Sequence, residues 1–165
     1  MKKKKLVFKI ESYLGEQVKD CISSVDLKAL CDIYNEFAID TVYGIRLKHN
    51  ILDETVLASP DWILSSENID IAKTKDGKVI GYISYYVKPV FNKYLIDIAN
   101  IHVRRDYKRM GVGSKLIRNL FDRYKNAQFT ARYVLEDNYQ AQKFWNHLGF
   151  VTKVSSDLFV DHTER

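Results

Sequence analysis

The feature that most constrains this chain is a stretch that joins a strand, a loop with two close glycines and a helix. Residues 95–103 carry apolar side chains on both alternations, which is typical of a strand covered on both faces of its sheet. After Gly111 and Gly113, apolar residues recur at helical spacing from Val112 to Tyr124. Covering both faces of that strand requires packing layers on each side of one sheet, so a mixed α/β fold is predicted.

The start of this helix predicts a site for an anion. The first N–H groups of a helix have no partner within it and lie at the positive end of its dipole. Glycine lets a ligand approach the backbone closely. Two common phosphate motifs are excluded: Gly113-Ser114-Lys115 has no glycine five residues earlier, as a Walker loop needs, and residue 116 is Leu where a dinucleotide fingerprint needs glycine.

The rest of the chain predicts an α/β architecture with a central mixed sheet of six to seven strands and helices on both faces. Asp76-Gly77 indicates a hairpin, so three strands pair antiparallel in sequence order. The helix after Gly113 is a crossover, which makes the strands on either side of it parallel. The predicted strands cover residues 6–14, 16–22, 69–74, 79–87, 95–103 and 129–135, and residues 150–154 and 158–160 form one last strand or a hairpin.

Length and composition restrict the function classes. The 165 residues suit a single domain spanning 1–165, and no apolar run of about 18 residues predicts a membrane span. Cys21 and Cys31 lack zinc spacing, so no metal site is predicted and a reducing, cytoplasmic setting is expected. The net charge is +5, but Lys2 to Lys5 supply four of those charges, so neither a nucleic-acid nor a membrane partner is expected.

Two motifs in this sequence resemble the GNAT superfamily of acyl-CoA-dependent N-acetyltransferases. The family signature Arg/Gln-x-x-Gly-x-Gly/Ala stands here as Lys108-Arg109-Met110-Gly111-Val112-Gly113, with lysine at the first position. A second signature, Asn-x-x-Ala-x-x-aromatic-Tyr-x-x-x-Gly-Phe, stands as the run from Asn138 to Phe150, with Trp145 at the tyrosine position. The resemblance covers about residues 16–154 and leaves the first 15 outside it. It implies a pair of parallel strands that splay apart.

The resemblance implies acetyl-CoA as cosubstrate. The exposed backbone of the central strand would pair with the pantetheine amides, and the helix start would hold the pyrophosphate. Asn138 would hold CoA or the opposing strand, with a plain helix cap as the alternative. The implied cofactor-binding residues are Ile101, His102, Val103, Lys108, Arg109, Met110, Gly111, Val112, Gly113, Ser114, Asn138 and Phe144.

Asp97 is the candidate general base, because it lies where some family members carry a catalytic glutamate. A buried carboxylate needs partners, so a structural Asp97 paired with a lysine or a backbone N–H is the alternative. The indole of Trp145 is not a useful acid, which leaves Tyr139, Tyr133 or water to protonate the leaving thiolate. His102 falls on the opposite alternation from Asp97, as a relay or as a packed surface histidine.

Three functions compete at this stage. The first is an N-acetyltransferase that acts on a primary amine of a small molecule or of a peptide or protein, by direct attack in a ternary complex. The second is a non-catalytic acyl-CoA-binding module, which Trp145 favours. The third is nucleic-acid binding through Arg104, Arg105, Lys108 and Arg109, although CoA phosphates already account for this basic cluster. A homodimer is possible, since dimers are common in the family.

Overall fold

The computed structural model describes residues 6–43, 58–131, 134, 137–154 and 157–161. A seven-stranded mixed sheet runs through it in the order β1-β2-β3-β4-β5-β7-β6. The strands are β1 (Phe8–Leu14), β2 (Asn68–Thr74), β3 (Val79–Val90), β4 (Lys93–Val103), β5 (Ala127–Ala131), β6 (Val151–Val154) and β7 (Asp157–Asp161). Only β4 and β5 pair parallel, and every other neighbouring pair is antiparallel. The predicted mixed sheet with a parallel pair is confirmed.

Five α-helices connect these strands within the described residues. They are α1 (Gln17–Cys21), α2 (Ser24–Phe37), α3 (Pro60–Leu64), α4 (Val112–Arg123) and α5 (Tyr139–His147). A π-helical turn, Ala38–Tyr43, continues α2, and a 3₁₀ turn, Arg105–Tyr107, precedes α4. No helix in the described part of the chain is long and apolar enough to cross a membrane.

Side-chain caps fix the start of three helices, as the cap-favouring residues Ser23, Ser59 and Asn138 predict. The Ser23 hydroxyl accepts a hydrogen bond from the Asp26 N–H at 3.1 Å, and Ser59 caps α3 at 3.2 Å. The Asn138 side chain accepts one from the Ala141 N–H at 3.2 Å, which opens α5. Each cap satisfies an N–H that the helix itself leaves without a partner.

Helices cover the two faces of the sheet with two separate apolar cores. On one face, α4 buries Leu116 and Leu120 against Ile96 and Ile98 of β4. On the other face, α2 and α3 pack on β2 and β3. The buried members of this second core are Val18, Leu30, Cys31, Ile33, Ile63, Ile69, Ile71, Val79 and Tyr82. The strand β4 lies between both layers, as its apolar residues on both alternations indicate.

A β-bulge at Ala99 changes the orientation of the second half of β4. Ile98 pairs with Tyr85 and Asn100 pairs with Ser84, so Ala99 is the extra residue. The bulge inverts the alternation of the side chains that follow it. Even-numbered Ile98 lies against α4 before the bulge, and odd-numbered Ile101 does so after it. The predicted alternation of β4 is therefore wrong beyond Ala99.

Two other predictions concern residues 16–22 and residues 53–58. Residues 16–22 are not a strand, because Gln17–Cys21 forms the short helix α1, whose Val18 is fully buried in the α2-side core. A short amphipathic run has no clear period, and tertiary packing decides its conformation. A helix is also predicted from Asp53 to Ala58, and this segment lies mostly outside the described residues.

Candidate active site

The parallel pairing of β4 and β5 stops halfway along β4. The last paired residues are Ile98 and Ala131, where β5 ends. β4 continues for five more residues to Val103, and its other edge stays paired with β3 to the pair between Gly81 and Val103. Among the described residues, none from β5 pairs with residues 99–103. The backbone of β4 beyond the bulge therefore presents one edge to a ligand that can pair like a strand.

The helix α4 starts beside the end of this strand with no side-chain cap. Gly111 precedes the helix with φ of +82°, in the left-handed region that glycine adopts without strain. The first intrahelical bond runs from the Lys115 N–H to the Gly111 carbonyl at 3.0 Å. The N–H groups that precede Lys115 have no i−4 partner in the helix. This is the predicted anion site, and Val112 turns inward to anchor it in the core.

Gly113 joins the two sequence motifs in space. A Cβ built on Gly113 would meet the Phe144 ring at 3.2 Å and a Val103 methyl at 3.8 Å. The first helical turn of α4 thus packs directly on α5, and any larger side chain at this position must displace Phe144. Gly113 serves close packing, whereas Gly111 serves the turn. Ser114 follows in the same first helical turn.

Two of the four cationic side chains near the loop are held by acids of α2 and its extension. Arg104 donates to the Val79 carbonyl at 2.8 Å and to Glu36 at 3.3 Å. The backbone N–H of Arg105 donates to Glu36 at 3.0 Å, and its guanidinium is bidentate to Asp40 at 2.8 and 2.6 Å. The hydrogen bond from Arg105 lowers the pKa of Asp40. Assigning all four cations to CoA phosphates is therefore wrong for Arg104 and Arg105.

Lys108 and Arg109 remain exposed at the loop. No hydrogen bond or ion pair to either side chain occurs within the described part of the protein. Arg109 has φ of +61°, which is uncommon outside glycine, and Met110 is 45% exposed after it. These two cations are the ones left to meet an anion at the start of α4.

Asp97 lies one residue before the point where the parallel ladder ends. It is 5% exposed, and Thr130, its partner across the ladder, donates a hydroxyl hydrogen bond to it at 3.1 Å. The Lys88 ammonium lies 3.1 Å from its other oxygen. Asp97 is therefore paired with a lysine, which is the structural alternative that the sequence allows for it. Lys88 was not singled out from the sequence, although the hairpin register places it diagonally across from Asp97.

His102 lies on the same face as Asp97 because of the bulge at Ala99. Its ring packs between Phe37, at 4.3 Å between centroids, and Tyr34 and Tyr82, at 5.4 and 5.6 Å. Burial lowers the pKa of His102 to about 3, so the ring is neutral near pH 7. Its Nε2 atom and the Tyr82 hydroxyl are buried, and neither has a hydrogen-bond partner among the described residues. His102 is therefore packed beneath α2 and is partly exposed as a residue.

The second motif provides a helix cap at Asn138, an exposed ring at Tyr139 and buried rings at Trp145 and Phe150. Asn138 is the α5 cap described above, and Tyr139 follows it with its side chain 62% exposed. Trp145 is only 4% exposed and packs on Phe144 and Phe150 at 5.1 and 4.7 Å between centroids. Tyr133, the other candidate acid, lies outside the described residues. Trp145 therefore belongs to the α4-side core.

A mixed sheet whose parallel pairing stops halfway along the central strand, beside a glycine-started helix, is typical of acyl-CoA-dependent transferases. The model of the Acetyltransferase (GNAT) family matches residues 27–150, which include both motifs. This chain belongs to that family of acetyltransferases. No curated protein matches the sequence.

Solved structures of low sequence identity share this fold. The BH1408 protein of Bacillus halodurans, as a tetramutant, is 14% identical, with a TM-score of 0.66 over 90% of this chain and 96% of that one. The yncA protein of Salmonella typhimurium, in a structure with acetyl-CoA, is 16% identical, with a TM-score of 0.64 over 96% of both chains. The aminoglycoside acetyltransferase meta-AAC0020 from a soil metagenomic sample is 16% identical, with a TM-score of 0.60 over 90% of this chain and 92% of that one.

Proposed function

We propose that this protein is an N-acetyltransferase that transfers the acetyl group of acetyl-CoA to a primary amine of a small molecule or of a peptide or protein. The amine attacks directly in a ternary complex. The observation that carries the proposal is the β4 edge that continues beyond its parallel partner and ends beside the start of α4. The β4 edge suits a chain that carries amides, and the start of α4 suits phosphates. Pantetheine diphosphate has amides towards one end and phosphates at the other.

The residues around this edge fit the donor. The backbone from Ile101 to Val103 is assigned to the pantetheine amides, and the N–H groups from Arg109 to Ser114 to the pyrophosphate. Lys108 and Arg109 add two positive charges that no described acid neutralises. Charge-assisted hydrogen bonds of this kind contribute about 1.5–3 kcal/mol each.

Asp97 is proposed to accept the proton that the amine must lose. Thr130 and Lys88 hold the two carboxylate oxygens in place, so the side chain is positioned before any substrate arrives. Tyr139 is proposed as the group that protonates the leaving thiolate, since its exposed phenol follows the α5 cap and Trp145 has no acidic proton to give. A homodimer and a cytoplasmic setting are proposed as well.

Two measurements test this function together. Thermal unfolding with and without acetyl-CoA reports binding, and release of free CoA thiol reports transfer to a panel of amines. The panel contains alkyl diamines, aminoglycosides and lysine-containing peptides. We expect stabilisation by acetyl-CoA and CoA release with at least one class of amine. Absence of stabilisation would exclude acyl-CoA binding altogether.

Charge reversal at the loop provides a matched pair of variants. Lys108→Glu is expected to weaken acetyl-CoA binding about tenfold, because a phosphate-facing cation becomes an anion. Lys75→Glu makes the same change at an exposed hairpin position and is expected to bind like the wild type. Equal binding by the two variants would remove Lys108 from the site.

Asp97→Asn separates catalysis from binding. The amide keeps the shape of the side chain but cannot take up a proton, so the rate of transfer is expected to fall about 100-fold while acetyl-CoA stabilisation persists. An unchanged rate would leave Asp97 with the structural role that its ion pair already provides.

The second candidate function is a non-catalytic acyl-CoA-binding module. The buried Trp145, which replaces a tyrosine of the family motif, favours it. It predicts stabilisation by acetyl-CoA together with no CoA release on the whole amine panel. The same two measurements therefore distinguish the two functions.

A further inference from the structure

We propose that Lys88 is a self-acetylation site of this protein, at which its own side chain occupies the position of the acceptor amine. The proposal rests on the proposed function, since it uses the same donor and the same Asp97. Its basis is the ion pair between the Lys88 ammonium and Asp97 at 3.1 Å. A primary ammonium held against the proposed base is the chemical group that an acceptor would place there.

Exposure makes this ion pair unlike the other lysine–carboxylate pairs of the described residues. The Asp97 side chain is 6% exposed, whereas the Lys88 side chain is 48% exposed. Lys73 is 12% exposed and held by both Glu11 and Asp26. Lys88 combines a half-exposed, movable stem with a buried carboxylate at its tip.

The location of Asp97 places this ammonium near the end of the β4–β5 ladder. Asp97 pairs with Thr130, and the next pair, Ile98 with Ala131, is the last of the ladder. The Lys88 stem has four rotatable carbons, so a change of rotamer moves its nitrogen several ångströms along the sheet. The β4 edge assigned to pantetheine begins directly after Ile98.

The step balances with the groups named here. One proton of the Lys88 ammonium passes to the Asp97 carboxylate, and the neutral nitrogen attacks the thioester carbonyl carbon. A nitrogen–carbon bond forms, the carbon–sulfur bond breaks, and the CoA thiolate leaves. The thiolate takes up the second proton that the nitrogen loses, and the proton held by Asp97 passes to water, which restores the carboxylate. The products are acetylated Lys88 and free CoA, and the acetylated side chain no longer carries the charge that pairs with Asp97.

Peptide mapping by mass spectrometry tests the proposal. The full chain is incubated with isotope-labelled acetyl-CoA and no amine, and incorporation is followed over time at Lys88 and at Lys28. Lys28 is the matched control, because it pairs with Asp32 at 2.9 Å but lies on the solvent side of α2 with its side chain 77% exposed. Chemical acetylation favours the more exposed Lys28, whereas the proposal requires faster labelling of Lys88.

Two perturbations make the result specific. Excess unacetylated CoA is expected to suppress labelling of Lys88 in the wild-type protein and to leave Lys28 unaffected. Asp97→Asn is expected to slow Lys88 labelling about 100-fold without changing Lys28. Lys88→Arg keeps a cation beside Asp97 and should remove the label. Thermal unfolding of each variant with acetyl-CoA shows that it is folded and binds the donor.

Each outcome is decisive. Equal labelling of Lys88 and Lys28, or labelling of Lys88 that CoA does not suppress, overturns the proposal. Amine-dependent CoA release with an unlabelled Lys88 overturns it while the proposed function stands. Absence of both CoA release and Lys88 labelling overturns the two together.

Discussion

The two faces of the sheet differ in what they bury. Along β4, the face under α4 is apolar, and Ile96 and Ile98 pack there with Leu116 and are almost completely excluded from solvent. This face also buries a charged group on β2, Asp70, which Arg123 and Asn119 of α4 hold. Along β4, the face under α2 carries polar groups instead. They are the buried Asp97 with its half-exposed partner Lys88 and the ring of His102, whose Nε2 atom has no hydrogen-bond partner among the described residues.

This difference depends on a single inserted residue. Without the bulge at Ala99, the side chains of Asn100 and His102 would point toward α4 and those of Ile101 and Val103 toward α2. The extra residue keeps both halves of β4 apolar toward α4 and polar toward α2. It also coincides with the end of the β4–β5 ladder, so the alternation changes where the pairing stops.

Deletion of Ala99 is expected to have the largest effect, because it removes the difference between the faces. Polar side chains would enter the α4 core, and the loss in free energy of unfolding should exceed about 4 kcal/mol. Denaturant unfolding measures it. Ala99→Ser is the control, since it keeps the chain length at an exposed position. A stable deletion variant would show that the bulge does not set the register.

Truncation in the two cores tests whether they contribute equally to stability. Leu116→Ala under α4 and Leu30→Ala under α2 both remove a side chain with 0% exposure, and each should lose about 3 kcal/mol in free energy of unfolding. Val25→Ala, at a position 77% exposed, should change it by less than about 0.5 kcal/mol. A much smaller loss for Leu30→Ala would mean that the α2 face is loosely packed.

As the pH falls from neutral, the loss of stability should begin with His102 on the α2 face. His102 has a pKa of about 3 when folded and 6.5 ordinarily. The unfolded chain therefore binds the proton first, and stability is lost as the pH falls from 6.5 towards 3. His102→Phe removes this loss, so between pH 7 and about pH 5 the variant should lose about 1–2 kcal/mol less than the wild type.

Urea unfolding at the two pH values measures this difference. Glu11 does not interfere with this measurement. Its hydrogen bonds with Lys73 and Lys9 lower its pKa from 4.5 to about 2, so the stability that it contributes is lost only below pH 4.5, outside the interval between the two pH values. An identical pH dependence of wild type and variant would contradict a buried, neutral His102.

The smallest effect is expected on the solvent side of α2. Asp32→Asn breaks the exposed i,i+4 pair with Lys28 and should cost about 0.3 kcal/mol in free energy of unfolding. Thermal unfolding at low and high salt measures it, and the difference from wild type should vanish at high salt. A large effect would mean that exposed and buried ion pairs of this protein are not distinct in kind.

Local patterns determined much of the fold. The caps at Ser23, Ser59 and Asn138 and the turn at Gly77 each depend on a few neighbouring residues, so the sequence was sufficient to predict them. The apolar alternation of residues 95–103 was sufficient to place this strand inside the sheet. Residues 17–21 were predicted wrongly, because burial of Val18 under α2 outweighs a local pattern that has no clear period.

The site was predicted in its backbone and only partly in its side chains. The two glycines indicated the helix start because their roles are backbone properties. Arg105 pairs with Asp40, and Asp97 pairs with Lys88 and Thr130. Spacing along the sequence cannot predict these contacts. Sequence reasoning therefore assigned charges to phosphates that the folded chain uses for its own ion pairs.

The sequence alone determined the family, the glycine-started helix and the central strand, because these features reside in contiguous motifs. Only the tertiary structure decided which face each half of that strand presents, because one extra residue inverts the alternation and no local signal marks Ala99 as the bulge. It also decided that Gly113 is pressed against Phe144 and that Asp97 holds Lys88. Both contacts join segments that are distant or on different strands, where only packing brings the atoms together.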